Sequence, residues 1–411
     1  MNKHFASTAD LEERPTAFRQ VGDGCYAFTA AGDPNSGVIV GDRSVMVVDA
    51  QATPAAAEKV LEEIRAVTDK PVKFLVLTHY HAVRSLGASA FADAEIISSD
   101  LTKRLIADRG ETDWAVQNAR FPRLFQDGAA IPGLTWPTLS FASSMTIDLG
   151  NREVRLMHLG RGHTMGDVVV WVPGSGVMFA GDLVENRAAC YCGDAHLADW
   201  PRALNRISAF RPNVVVPGRG AALIGPDAVA AGLSETQAFV DILRDSAATA
   251  VAAGNGLKDT FVHVKAEMDH RFGGLTLYDH AMPFNVARAY DEALGLETPQ
   301  AWTPERDRDL WDALYDPAPP ASEPETARPG GTPEDTAAYP GETGSGSPLP
   351  VLEASAAVDQ LSSDRDVPGS DLEPGPALVD AEAGLVEALS DALTPETGAG
   401  EDSRSFQSRP N

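Results

Sequence analysis

Two histidines two residues apart, placed directly after an apolar run in FLVLTHYHAVRSLGASAF (Phe74 to Phe91), constrain this chain more than any other feature of it. The run is short, bounded by polar residues and rich in leucine and β-branched side chains. That is the pattern of a buried strand, and SLGASAFAD beyond the histidines has the composition of a helix start. His79 and His81 therefore belong to a strand-to-helix loop. In extended backbone, residues i and i+2 project to the same side, so the two imidazoles can face one locus. Two ring nitrogens aimed at one point are the beginning of a metal site.

Two further fragments supply the rest. LGRGHTMGDVVVWVP sets His163 in a Gly-rich turn before a strand, where small residues allow a tight fold that exposes one imidazole. VMFAGDLVEN sets Asp182 just past the end of an apolar strand, a rigid place to mount a ligand. His79, His81, His163 and Asp182 would offer three nitrogens and a carboxylate, a set that suits zinc or non-haem iron. Asp167, at a strand start after Gly166, reads as a turn former or as a group that orients a ligand histidine. CYCGDAH brings Cys190, Cys192 and His196 near the loop after Asp182, but Cys-x-Cys without a second pair is not the spacing of structural zinc, and a buried or pocket-wall role is expected.

The surrounding pattern is of mixed α/β class. CYAFTA, GVIVGD and SVMVVDA read as strands of a β-meander separated by turn residues. TPAAAEKVLEEIRAVTDK reads as an amphipathic helix with Thr53 as its cap and Pro54 at its first position. Helical stretches run through DWAVQNARFPRLFQ, and the chain returns to strands from LSFAS to GVMFAGDL, with a helix at DWPRALNRISAF before NVVVPG. Strands and helices in two successive halves predict two sheets face to face with helices outside, an αββα sandwich over residues 1–225. Residues 226–316 are expected to form a helical extension packed on it. From Pro317 to the end there are 18 acidic residues against 4 arginines, together with 14 prolines. Such a segment cannot bury enough apolar surface to offset its chain entropy, and a disordered acidic tail is expected.

THYHAVRSLGA, GRGHTMGD, FAGDL and VVPGRG, in this order and each after a predicted strand, resemble the signature motifs of the metallo-β-lactamase-fold hydrolases. The resemblance covers roughly residues 20 to 225 and implies the same αββα sandwich, with a metal site at one edge. It also implies that His79, His81 and His163 hold the first metal and that Asp182 is the carboxylate ligand. The family's first motif usually runs His-x-His-x-Asp-His, and here Val83 and Arg84 stand at the last two positions. Arg219 stands where the last motif usually has histidine. Valine cannot coordinate, and arginine offers only donors, so one metal ion is expected rather than two.

The expected activity is hydrolysis of an ester, thioester or lactone of a small anionic substrate by a metal-bound hydroxide. One zinc ion is expected, with Asp182 as ligand or proton acceptor and Arg84 and Arg219 holding the anionic group. The rival readings are a mononuclear iron oxygenase of the persulfide dioxygenase type and a degenerate, non-catalytic binding protein. A formal charge of −26 argues against a nucleic-acid partner. No run of about eighteen apolar residues occurs, and the N-terminal stretch lacks the apolar core of a signal peptide. With three cysteines in 411 residues, a disulfide framework is not expected, so a cytoplasmic protein without a membrane partner is, whose tail is free to bind another protein.

Overall fold

A computed structural model of the chain describes residues 4–7 and 14–315. They fall within one unit of the chain, Met1–Thr326. The acidic tail expected from Pro317 onward lies outside the described residues.

Two sheets form the centre. The first holds β1 (Thr16–Gly22), β2 (Cys25–Ala30), β3 (Ser36–Val40), β4 (Val45–Val48), β5 (Val72–Val76), β6 (Glu95–Ser99) and β7 (Leu139–Phe141), paired in sequence order. β2 to β4 are the expected antiparallel meander, β1 extends it by one strand beyond those expected, and β4 to β7 run parallel. The second holds β8 (Ser144–Asp148), β9 (Glu153–Met157), β10 (Val169–Val172), β11 (Val177–Gly181), β12 (Val214–Pro217) and β13 (Leu223–Ile224). Only β11 and β12 are parallel within it.

Side-chain alternation assigns the layers. Met46 and Val48 of β4 face Val170 and Val172 of β10 and Val177 and Phe179 of β11 in the core between the sheets. Val45 and Val47 face the other way, against Ala57, Val60, Leu61 and Ile64 of α1 (Pro54–Val67). Strands buried on both faces read as continuous apolar runs, which is why SVMVV and VVVWV lack a polar alternation. Helix α1 begins as the sequence predicts: the Thr53 hydroxyl accepts from the amide of Ala56 at 3.1 Å, and Pro54 occupies the first turn.

The helix expected after the histidines is shorter than SLGASAFAD suggests. α2 (Ala82–Ser85) gives way to a 3₁₀ turn over Leu86–Ala90, because Gly87 lies directly against the backbone of the β4–α1 loop; a Cβ there would meet Ala50 O at 2.0 Å. α3 (Asp100–Arg120) is then one long helix, and α4 (Trp200–Ala209) covers the second sheet. The outer face of that sheet, with Val169, Trp171, Met178 and Val215, shares a core with α4 and with α5 (Pro226–Ala252), α6 (Leu257–Phe272) and α7 (Tyr278–Ala293). The architecture is therefore an αββα sandwich whose second helical layer is thickened by C-terminal helices ending in α8 (Pro304–Tyr315). Among the described residues no helix is long and apolar enough to cross a membrane.

Candidate metal centre

The three predicted histidines meet at one edge of the sandwich, all three buried, with one ring nitrogen from each within 4.8 Å of the others. Their tautomers follow from the partners behind them. Asp49 accepts from the Thr78 amide at 2.8 Å and from the Thr78 hydroxyl at 2.9 Å, so that hydroxyl has spent its only hydrogen. The Thr78 oxygen lies 3.0 Å from Nδ1 of His79 and can only accept there. The proton of a neutral His79 is therefore on Nδ1, and Nε2 carries a lone pair. That Nε2 is buried and has no hydrogen-bond partner.

The same accounting applies to the other rings. Nδ1 of His163 lies 2.9 Å from the carbonyl of Tyr191, which only accepts, leaving the lone pair on Nε2. Nε2 of His81 lies 3.2 Å from Oδ2 of Asp194, leaving the lone pair on Nδ1. His163 Nε2 and His81 Nδ1 then face each other at 3.0 Å. Two lone pairs at that distance require a positive charge between them, supplied by a proton or by a metal ion. Burial lowers the pKa of His79 well below the ordinary imidazole value and that of His163 to about 3, so both remain neutral donors. Burial also lowers His81, but Asp113 and Asp194 outweigh it and raise the ring. Three buried imidazoles, each backed on one nitrogen by an acceptor, fit a divalent metal, which at His81 would compete with a proton for Nδ1.

Asp182 lies beside the three rings, outside the group of three histidines whose nitrogens are all within 4.8 Å of one another. Gly181 ends β11 with φ +54°, turning the chain so that the next carboxylate points at the rings. Asp182 Oδ2 lies 3.8 Å from His79 Nε2 and 3.6 Å from His163 Nε2, close to the roughly 3.4 Å between ligand atoms around a tetrahedral zinc. Burial works to raise its pKa, and the guanidinium groups of Arg84 and Arg219 reverse this, holding it well below the usual carboxylate range. A carboxylate so stabilised is a weak base. It suits the ligand role expected of it better than the proton-acceptor role.

Arg84 was expected to face substrate, and its surroundings differ. It is fully buried and donates to Asp182, to Gly218 O at 2.6 Å and to Asn35 O at 2.9 Å, with Asp49 at 3.6 Å. The sequence marks a guanidinium near the site but not that three loops converge on it. Gly218 is required for the approach, since a Cβ there would sit 2.1 Å from Asp182 Oδ1. Arg219 does line the cavity, with Nη1 2.9 Å from both Asp182 Oδ2 and Glu185 Oε1. Asp167 is a turn former, accepting from the amide and hydroxyl of Thr164 beside His163. Cys190 and Cys192 are buried, and their backbone is clamped by the Asn285 amide of α7, which fixes the Tyr191 carbonyl against His163.

Asp194 and Asp49, which set the tautomers, were not singled out in the sequence. Asp194 lies inside CYCGDAH, but its partner His81 is 113 residues away. The cavity over the rings is small, about 20 Å³, room for about one water. Gln117 of α3, Phe121 just after it, Leu124, Leu277 just before α7 and Ala281 in its first turn close it.

Residues 29–219 match the family model described as the Metallo-beta-lactamase superfamily. A metallo-beta-lactamase type 2 from Bacteroides fragilis is 33% identical over 99 residues, covering 23% of this chain and 40% of that protein. One from Bacillus sp. (strain 170) is 24% identical over 199 residues, covering 47% and 69%. A linear primary-alkylsulfatase from Pseudomonas sp. (strain ATCC 19151) is 22% identical over 281 residues, covering 59% of this chain and 51% of that protein. Among solved structures, the metallo-beta-lactamase from Pontibacter korlensis is 22% identical with a TM-score of 0.44, covering 55% of this chain and 99% of that one. Through residues 29–219 the chain is thus similar to the metallo-beta-lactamase superfamily, whose members are usually metal-dependent hydrolases. It spans less than half the length of the Bacteroides fragilis relative.

Proposed function

We propose that this protein is a mononuclear metal-dependent hydrolase acting on an ester, thioester or lactone of a small anionic substrate. The observation that supports it is the convergence of His79 Nε2, His81 Nδ1 and His163 Nε2, three lone pairs whose protons are all held on the far side of the ring. These three atoms and Asp182 would hold the ion, and zinc is the metal the donor set favours. When bound, such an ion lowers the pKa of coordinated water to about 7 and polarises the bond under attack. Arg84 fixes Asp182, and Arg219, which lines the cavity, carries positive charge toward the substrate. Val83, Phe121, Leu124 and Leu277 exclude bulk water around the reacting bond, which strengthens each electrostatic interaction there.

The likeness to the alkylsulfatase reaches further along the chain than that to the Bacillus lactamase, 59% against 47%, and favours a sulfate ester as a second substrate class. Elemental analysis of protein purified without added metal, with a panel of ester, thioester, lactone and primary alkyl sulfate, tests both. The expected result is one divalent ion per chain, lost in His79→Ala together with turnover. Iron with oxygen uptake on a persulfide would replace this reading with the oxygenase. Unchanged metal content and unchanged hydrolysis in His79→Ala would end it.

A further inference from the structure

The metal cavity is far too small for a substrate, yet a groove of about 740 Å³ lies beside it. Two links join them. Leu124 lines both, and Pro34 of the groove wall forms a β-bridge with Arg219 of the cavity wall. The two spaces thus share one lining leucine and meet along one pair of adjacent backbone segments.

The groove is walled by the β2–β3 turn, the start of α1 and the 3₁₀ turn Pro122–Phe125. Arg14, Lys59 and Arg123 line it, against Asp33 and Asp127. Arg123 crosses it: both terminal nitrogens of its guanidinium bind the two oxygens of Asp33, one at 2.9 Å, with only 12% and 17% of the two side chains exposed. That is the forked geometry in which arginine recognises any carboxylate. Asp33 therefore occupies Arg123 as an external carboxylate would, one residue along the chain from Leu124.

We infer that the 740 Å³ groove is the subsite for the anionic end of the substrate, with Arg123 as its specificity-determining residue and Asp33 as an internal competitor that the substrate carboxylate displaces. The inference rests on the hydrolase reading for its substrate class, and it goes beyond that reading by placing the charge recognition outside the metal cavity. The substrate it implies is elongated, with the scissile bond beyond Leu124 and a carboxylate several bonds away. Lys59, exposed at the start of α1, adds charge at the groove rim.

The test uses the metal-loaded protein and two probes of similar length, 4-nitrophenyl hemiglutarate, which is anionic, and 4-nitrophenyl valerate, which is neutral. The readout is the ratio of their kcat/KM values. Arg123→Gln is expected to lower the ratio about tenfold, the loss of a charge-assisted pair, and Arg123→Lys to restore part of it. Lys59→Gln, a surface change, should lower it about twofold. Calorimetric titration with glutarate gives a second readout, with affinity about tenfold weaker in Arg123→Gln. A ratio and a glutarate affinity within twofold of wild type in Arg123→Gln overturn the inference. If the wild type hydrolyses neither ester, the hydrolase reading has failed, and the glutarate titration alone decides the groove.

Discussion

Replacing Asp194 by asparagine tests the tautomer argument on which the metal centre depends. The carboxylate is buried and accepts from His81 Nε2 at 3.2 Å and Arg109 Nη1 at 3.1 Å. Asparagine keeps the shape but has one acceptor atom. If its oxygen stays with Arg109, its amide group meets His81 Nε2 and drives the ring proton onto Nδ1, the atom that faces the other two histidines. If it turns, a largely buried guanidinium faces an amide donor. Either way one charge-assisted hydrogen bond is lost, worth about 1.5–3 kcal/mol. Expressed in metal binding, this is a loss of about 10–100-fold in affinity. Competition against a chromophoric zinc chelator measures it, with the thermal midpoint as a check on folding. A folded variant that binds zinc within twofold of wild type would refute the assignment of lone pairs.

Other perturbations probe the supports of the site. Asp307→Ala leaves Arg120, caged by Phe5, Phe284 and Trp311, without the carboxylate it holds at 2.8 and 2.5 Å; unfolding in urea should show a loss of about 3–5 kcal/mol, and a loss under 1 kcal/mol would argue that the pair is not structural. Gly218→Ala pushes a methyl group into Asp182 and Arg84, and a destabilisation of about 1–3 kcal/mol with weakened zinc binding is expected; a neutral result would mean that the loop gives way freely. Thr53→Ala removes the α1 cap at a cost of about 1 kcal/mol while leaving zinc affinity unchanged, read from the same two assays.

What the sequence disclosed was what depends on neighbours in the chain. The strands are continuous apolar runs, the α1 cap is Thr53 followed by proline, and His79, His81 and Asp182 sit shortly past strand ends, while His163 sits in the Gly-rich turn before β10. The length of α2 is not legible in the sequence, because Gly87 is set by a contact with Ala50, thirty-seven positions away, and not by helix propensity. The substrate-binding role expected for Arg84 meets the same limit: its burial depends on Asn35, Asp182 and Gly218, which no local pattern ties together. The roof of the cavity is the least legible part. Leu277 and Ala281 reach it only because the last helices fold back on the second sheet, and a leucine with φ +67° at the start of α7 carries no marker in a string of letters.

The double clasp of Asp182 by two arginines has a consequence for how such a protein matures. In a site where carboxylates face one another bare, the ion is also the mortar, and the apo state swells or unfolds until it arrives. Here the negative charge is balanced from within, by groups that are part of the chain and always present. On the proposed metal reading, the protein would finish folding first and acquire its ion afterwards, because Arg84 and Arg219 already balance the charge of Asp182.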